Sequence, residues 1–200
     1  MAPKVERILE NFLLGEGPHW DIATQSLYMV DIYEKRIHRY DPVTNSHYQA
    51  AIGDLLLIKT LLVIFIIIII IRLSVLRLIL FKIKGNRQSI FTFDKHNIPG
   101  MPDGQTIDSD GNLWVAVFLG SRVIKIDPRK PETLLETIAI PAIQTTSVEF
   151  GGPNLDELYV TSGRFTFQGK TPEPPVNGAL YRVTNIGSKG LPSNKVKIQI

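Results

Sequence analysis

The chain contains no cysteine among its 200 residues. A protein without thiols forms no disulfide, binds no zinc through cysteine and has no thiol nucleophile. The N-terminus also lacks an apolar stretch before a small-residue cleavage site, and no Asn-x-Ser/Thr acceptor is present. These absences favour a cytoplasmic protein over a secreted one.

Several signatures of catalysis and phosphate binding are missing as well. No Walker loop, Gly-x-Gly-x-x-Gly turn or Gly-x-Ser-x-Gly elbow occurs. The net charge of +3 is local, because residues 54–84 alone carry +4 and the rest of the chain therefore −1. No basic stripe with interleaved aromatic residues is present, so the sequence argues against a nucleic-acid partner.

A long apolar run, residues 54–84, does not fit the rest of the chain. It contains six consecutive isoleucines, Ile66–Ile71. Its uncharged part, residues 60–71, is shorter than the ~20 residues that span a bilayer, and accepting Lys59 extends it only to residues 55–71. The residue types are those that AT-rich codons specify. Translated non-coding sequence or a gene-model error is the preferred interpretation; a membrane segment and a buried strand pair are the alternatives.

Outside this run the pattern is that of an all-β protein. Short segments alternate apolar and polar residues, and Asp-Pro, Asp-Gly and Gly-Pro-Asn turns separate them. The segments predicted as strands are Ser26–Ile32, Lys35–Tyr40, Leu113–Phe118, Arg122–Ile126, Glu157–Thr161 and Ala179–Val183.

An internal repeat selects the architecture. Residues 15–42 align with residues 101–128, so that Glu16-Gly17 falls on Asp103-Gly104. A fainter third copy begins near Thr146, and its Leu158 lies 45 positions after Leu113. Roughly 40–45 residues is the length of one four-stranded propeller blade. The repeat therefore predicts a β-propeller with acidic residues at equivalent points of two blades.

Four motifs together resemble the regucalcin/gluconolactonase (senescence marker protein) family, and within it the insect luciferin-regenerating branch. They are GEGPHW at 15–20, PDGQTID at 102–108, GNLWVA at 111–116 and TTSVEFGG at 145–152. The resemblance implies a six-bladed β-propeller, here incomplete with about three to four blades. It also implies a small-molecule lactone or luciferin-related substrate, and one divalent metal in the central channel. Calcium is the first expectation; zinc, magnesium and manganese are alternatives.

Two functional residues carry over from this resemblance. Glu16 matches a metal-binding glutamate, and Asp103 matches the aspartate that binds the metal and acts as the base in lactone opening. Oxygen ligands of this kind suit Ca²⁺ or Mg²⁺. Without the resemblance, both would be read as ordinary turn carboxylates.

The chain also departs from the family pattern. The Asn-Gly-Leu-x-Trp motif, which carries a third metal ligand, and the substrate-binding Arg-x-Asn-Asp-Gly stretch are both missing. We therefore expect a poor lactonase. A non-catalytic calcium-binding propeller is one alternative, and a non-functional or membrane-associated fragment is another. The predicted division is residues 1–53 for the first blade or blades, 54–85 for the apolar segment and 86–200 for the C-terminal blades.

Two other candidate sites are weaker. Residues 108–112 have acidic and amide side chains at alternate positions like the start of an EF-hand, but the glycine and the final glutamate are misplaced, so they predict a hairpin turn. His19, three residues after Glu16, either lines the channel mouth or is structural.

Overall fold

The computed structural model describes residues 1–52 and 89–192, and the apolar segment 54–84 lies outside these ranges. Within them, the chain forms twelve β-strands and one turn of 3₁₀ helix, Asp94–His96. No helix among these residues is long and apolar enough to cross a bilayer. The strands are β1 (Lys4–Leu9), β2 (Gly15–Asp21), β3 (Ser26–Asp31), β4 (Arg36–Asp41), β5 (Ser46–Ala51), β6 (Met101–Ile107), β7 (Leu113–Phe118), β8 (Arg122–Ile126), β9 (Leu134–Ala139), β10 (Gln144–Gly151), β11 (Glu157–Gly163) and β12 (Leu180–Thr184).

The strands form three antiparallel units of four. The first unit is β2–β5 and the second is β6–β9. The third unit is β10–β12 with the N-terminal strand β1 as its outer strand. Units two and three are joined in one sheet by the single pair Gln144↔Phe118. All six strands predicted from the sequence are present, with ends that differ by at most two residues.

The strand β1 was not predicted, and it decides how the units are connected. Its register pairs Lys4 with Thr184 and Val5 with Val183. Glu6 adds an ion pair to Arg182, with 3.1 Å between the carboxylate and guanidinium atoms. The beginning of the chain thus completes a unit built from its end, a closure that a repeat alignment cannot reveal.

The strand β10 lies between β2 and β6 and forms the centre of the packing. On one side Trp20 stacks on Tyr159, with ring centroids 5.4 Å apart. On the other side Trp114 meets Phe150 edge-on at 5.8 Å. Both tryptophans are almost fully buried. Aromatic contacts therefore join the third unit to the first unit on one side and to the second unit on the other.

The turn at residues 108–112 is the predicted hairpin between β6 and β7. Asp108 accepts hydrogen bonds from the backbone N–H groups of Asp110 and Asn112 and from the indole of Trp114. It also forms an ion pair with Lys125 at 3.0 Å. These contacts of Asp108 hold the hairpin turn that the sequence predicted.

Two histidines of the first unit, His38 and His47, lie next to Phe12 of the segment that connects β1 to β2. His38 and His47 stack with a separation of 3.0 Å between Nδ1 and Nε2, and the edge of Phe12 packs on His38. Phe12 in turn donates its N–H to the carbonyl of Gly178 in the third unit. His38 is 4 % exposed, and its Nε2 has no hydrogen-bond partner among the residues that the structure describes. Burial lowers the pKa of His38 to about 4, helped by His47 and Arg36 and opposed by Asp31.

This pair predicts a loss of stability in mild acid. A histidine whose folded pKa lies below its unfolded value stabilises the fold above pH ~6.5 and loses that contribution as the pH falls towards 4. Because the raised pKa values of Glu16 and Asp103 act in the opposite direction, the prediction concerns the difference between wild type and His38→Phe, which keeps an apolar ring against Phe12. We expect the free energy of unfolding of the wild type, relative to that of His38→Phe, to fall by up to about 3 kcal/mol over this window. Urea unfolding of both proteins at a series of pH values measures it, and parallel pH profiles would contradict the assignment.

Candidate metal and substrate site

Glu16 and Asp103 occupy equivalent positions on the first strands of the first two units. Glu16 pairs with Val30, and the register between β2 and β3 shifts directly after it. The register between β6 and β7 shifts after Pro102, so Asp103 lies in the matching irregularity. A β-bulge re-aims the side chain that it carries. Glu16 thus borders one register shift and Asp103 lies within the other, so both carboxylates are at a local irregularity of a first strand.

Glycine next to each carboxylate makes this geometry feasible. Gly17 has φ of +55°, a left-handed conformation that favours glycine. A Cβ on Gly104 would lie 2.2 Å from the hydroxyl of Ser147, so only glycine lets β6 approach β10 this closely. The two Glu/Asp-Gly pairs found in the sequence are thus a backbone requirement as well as a chemical one.

The charge of Asp103 affects the pKa of Glu16. Burial and, after it, the negative charge of Asp103 together raise the pKa of Glu16 to about 8, against a hydrogen bond from the Gly17 N–H. Partial burial raises the pKa of Asp103 to about 6, against a hydrogen bond from the Gly104 N–H, although the residue is still in contact with solvent. Like charges held together in a partly desolvated site favour either a proton or a cation between them.

The donor set fits a divalent cation. Both groups offer carboxylate oxygens, the ligands that Ca²⁺ and Mg²⁺ prefer, and Mg²⁺ sites often use one or two carboxylates with water. In the part of the chain that the structure describes, no third His, Cys, Asp or Glu joins them in a metal-binding group. Glu16 and Asp103 would therefore hold such an ion with water or substrate completing its shell.

At the position equivalent to Glu16, the third unit has Ser147. Ser147 pairs with Thr161 on β11, as Glu16 pairs with Val30 on β3. Glu149, two residues further along β10, is 4 % exposed and accepts a hydrogen bond from Thr106 at 3.4 Å. Sequence reasoning gave Glu149 no role, although an acidic residue on the first strand of the third repeat was a usable signal.

His19 does not join the carboxylates in a metal-binding group of three. His19 is exposed. The pKa of Asp21, at the end of β2 away from Glu16, is lowered mainly by a hydrogen bond from the Thr24 hydroxyl, and the charge of His19 lowers it a little more. A pocket of about 430 Å³ also lies away from Asp103, at the end of β6, where Asp110, Glu157 and Lys189 are among its lining residues. The sequence-predicted site thus consists of Glu16 and Asp103.

Comparison with known proteins agrees with this fold. The model of the SMP-30/Gluconolactonase/LRE-like region matches residues 14–61 and 82–164, and the chain belongs to this family. Regucalcin from Danio rerio is 39 % identical over 108 residues, which are 54 % of this chain and 36 % of that protein. Human regucalcin is 40 % identical over 110 residues, 53 % of this chain and 35 % of that protein. The chain therefore spans about a third of the length of these curated relatives.

Solved structures show the same architecture. A luciferin-regenerating enzyme superposes with a TM-score of 0.78 at 27 % identity, covering 98 % of this chain and all of that one. A calcium-binding regucalcin from Agrobacterium tumefaciens superposes with a TM-score of 0.66, covering 94 % and 95 % of the two chains. Its identity of 15 % shows the fold alone. The chain thus has the all-β propeller fold of this family.

Proposed function

We propose that this chain hydrolyses a small-molecule lactone, with Glu16 and Asp103 holding one divalent metal ion and Asp103 acting as the general base. The observation that supports this most is the pair of equivalent bulges, which brings the two carboxylates close enough for Asp103 to raise the pKa of Glu16. Membership of the gluconolactonase-like family supports a lactone as the substrate class.

The residues suit the steps of lactone opening. A bound divalent cation, with calcium as the first candidate, would supply positive charge to polarise the carbonyl oxygen. Asp103, whose pKa is near 6 in the metal-free protein, accepts the proton of a water molecule as the water oxygen attacks the carbonyl carbon. The ring C–O bond breaks, the ring oxygen takes a proton, and a hydroxy acid leaves. Glu16 would balance part of the charge of the cation and help to hold it in position.

The expected rate is low. The described residues supply only two acidic or histidine groups at this point, and the sequence lacks the family's substrate-positioning Arg-x-Asn-Asp-Gly stretch. Imperfect positioning of substrate by about 1 Å can cost a hundredfold in rate. The test is hydrolysis of glucono-δ-lactone above its spontaneous rate, with added Ca²⁺ or Zn²⁺. Turnover as fast as that of an intact family member would contradict this expectation.

A second candidate function is cation binding without catalysis. The same two carboxylates support it, and the Agrobacterium protein of the same fold is described as calcium-binding. The two functions differ in one measurable respect. A binding protein would take up Ca²⁺ without accelerating lactone hydrolysis, whereas the hydrolase would do both.

Cation affinity should increase strongly with pH. Glu16, with a pKa of about 8, is mostly protonated at pH 7, and the cation must displace this proton. Between pH 6 and 8, where Asp103 and then Glu16 lose protons, we expect affinity for Ca²⁺ to rise roughly ten- to hundredfold. Calorimetric titrations in buffers of different ionisation enthalpy measure both the affinity and the released proton. Glu16→Gln should bind weakly and with little pH dependence; a wild-type affinity constant across this range would refute the shared site.

A further inference from the structure

Four aromatic rings from all three units meet on one face of the fold. Tyr33 follows β3, Phe118 ends β7, and Phe165 and Phe167 follow β11. Phe165 stacks on Phe118 with ring centroids 5.8 Å apart, and Tyr33 meets it edge-on at 5.5 Å. Phe167 packs edge-on against Phe118 at 5.2 Å. We refer to these four residues as the aromatic cluster.

Backbone hydrogen bonds fix the cluster in place. The side chain of Gln144 both donates to the carbonyl of Phe165 and accepts from its N–H. Gln144 itself pairs with Phe118 across the boundary between the second and third units. On the other side, the buried carboxylate of Asp31 accepts the N–H of Tyr33. The backbone at Tyr33 and Phe165 is therefore tied to neighbouring strands, and a ligand would not have to order these segments, which favours binding.

The cluster lies on the same face as Glu16 and Asp103. Phe118 pairs with Met101, and Asp103 is two residues further along β6, a distance of about 7 Å along a strand. Gly15, the neighbour of Glu16, pairs with Asp31, two residues before Tyr33. The 430 Å³ pocket, by contrast, is at the opposite ends of these strands.

Phe118 is buried at the base of the cluster, whereas its other three rings keep apolar surface in contact with solvent. Tyr33 is 54 % exposed, Met101 beside Phe118 is 45 % exposed, and Phe165 and Phe167 are partly exposed. Trp20 and Trp114 are at most 1 % exposed. Contiguous exposed apolar surface next to a polar site is typical of ligand-binding regions.

We propose that the aromatic cluster binds the planar ring of an aryl-fused lactone and so makes this chain select aryl-fused lactones over lactones that have no aromatic ring. The inference rests on the proposed lactone site for the position of the reacting carbonyl. An aromatic ligand ring would stack on or meet the edges of Phe165 and Tyr33, an arrangement in which aromatic pairs gain energy beyond the area they bury. The lactone carbonyl would then lie towards Asp103, and hydrolysis would proceed by the same addition of water.

Two lactones that differ only in the aromatic ring test the proposal. Dihydrocoumarin is δ-valerolactone fused to benzene. Dissociation constants for both are measured by saturation-transfer NMR titration of the full chain in EDTA, where metal-dependent turnover does not interfere. We expect wild-type protein to bind dihydrocoumarin roughly threefold to tenfold more tightly, and Phe165→Leu and Tyr33→Ala each to reduce this preference. Tyr48→Ala removes a comparably exposed tyrosine, 58 %, on β5 and should leave it unchanged.

The outcomes separate this inference from the proposed function. Equal binding of the two lactones by the wild type, or a preference that survives both cluster variants, would overturn the inference and leave the rings as packing for the loop after β11. A preference lost in both variants, with circular dichroism unchanged, supports it. If that preference is found but neither lactone is hydrolysed with Ca²⁺ or Zn²⁺ added, the cluster is a binding site and the hydrolase proposal fails alone.

Discussion

Asp103→Asn is expected to reduce lactone hydrolysis by a factor of roughly 10²–10⁴, the contribution that a positioned general base makes. The substitution keeps the size of the side chain and removes both the proton acceptor and one charged cation ligand. It also removes the negative charge that adds to the effect of burial on Glu16, so the Glu16 pKa should fall while burial, the larger cause, still keeps it raised. Initial rates with glucono-δ-lactone and added Ca²⁺ measure the first effect.

A matched control shows whether the effect is local. Asp94→Asn makes the same change on an exposed residue of the 3₁₀ turn and should leave the rate unchanged. Carbon-13 NMR of labelled Glu carboxyl groups in metal-free protein measures the change in the pKa of Glu16. An Asp103→Asn protein with wild-type turnover would remove Asp103 from the catalytic role, even if it still bound Ca²⁺.

Trp20→Ala is expected to lower the free energy of unfolding by about 3–5 kcal/mol, the cost of truncating a buried aromatic side chain. Trp20 is 1 % exposed and stacks on Tyr159 of the third unit. A Cβ on Gly151 would lie 2.7 Å from the Trp20 ring, so the indole and β10 are closely packed. The truncation would leave a cavity between the first and third units that the backbone of β10 cannot readily fill.

Denaturant unfolding followed by circular dichroism measures this loss. Tyr48→Ala serves as the control, because an exposed substitution usually changes stability by less than about 0.5 kcal/mol. A loss below about 1 kcal/mol for Trp20→Ala would mean that the first unit does not depend on its contact with β10. Loss of the folded state altogether would place this contact among those that the fold requires.

The local architecture was predictable because its signals are local. Alternation of apolar and polar residues identified the strands from Ser26 to Asp31 and from Leu113 to Phe118, and both are present. The strands β2, β6 and β10 were not predicted as strands. All three contain a register shift and a glycine, and β2 and β6 also contain a proline, so their period-two pattern is interrupted. The glycine residues and register shifts beside Glu16 and Asp103 therefore also make β2 and β6 hard to recognise as strands from the sequence.

The candidate site was predictable for a different reason. A repeat transfers geometry between its copies, so equivalent positions of Glu16 and Asp103 in the sequence imply equivalent positions on the first strands of two units. The structure adds what the sequence could not contain: the desolvation that raises the pKa of each carboxyl, and the influence of one charge on the other. Their roles in metal binding and catalysis remain proposals that the experiments above address.

The sequence by itself was enough to identify the family, the repeating unit and the equivalent positions of Glu16 and Asp103, because each of these is carried by a short motif of neighbouring residues. Tertiary structure alone decided that β1 completes the third unit, that His38 stacks on His47 beneath Phe12, and that Tyr33 meets Phe165. Tyr33 and Phe165 are separated by more than a hundred residues. No local periodicity encodes such a contact; it arises because the aromatic side chains of neighbouring units lie side by side once the first strands have packed around β10.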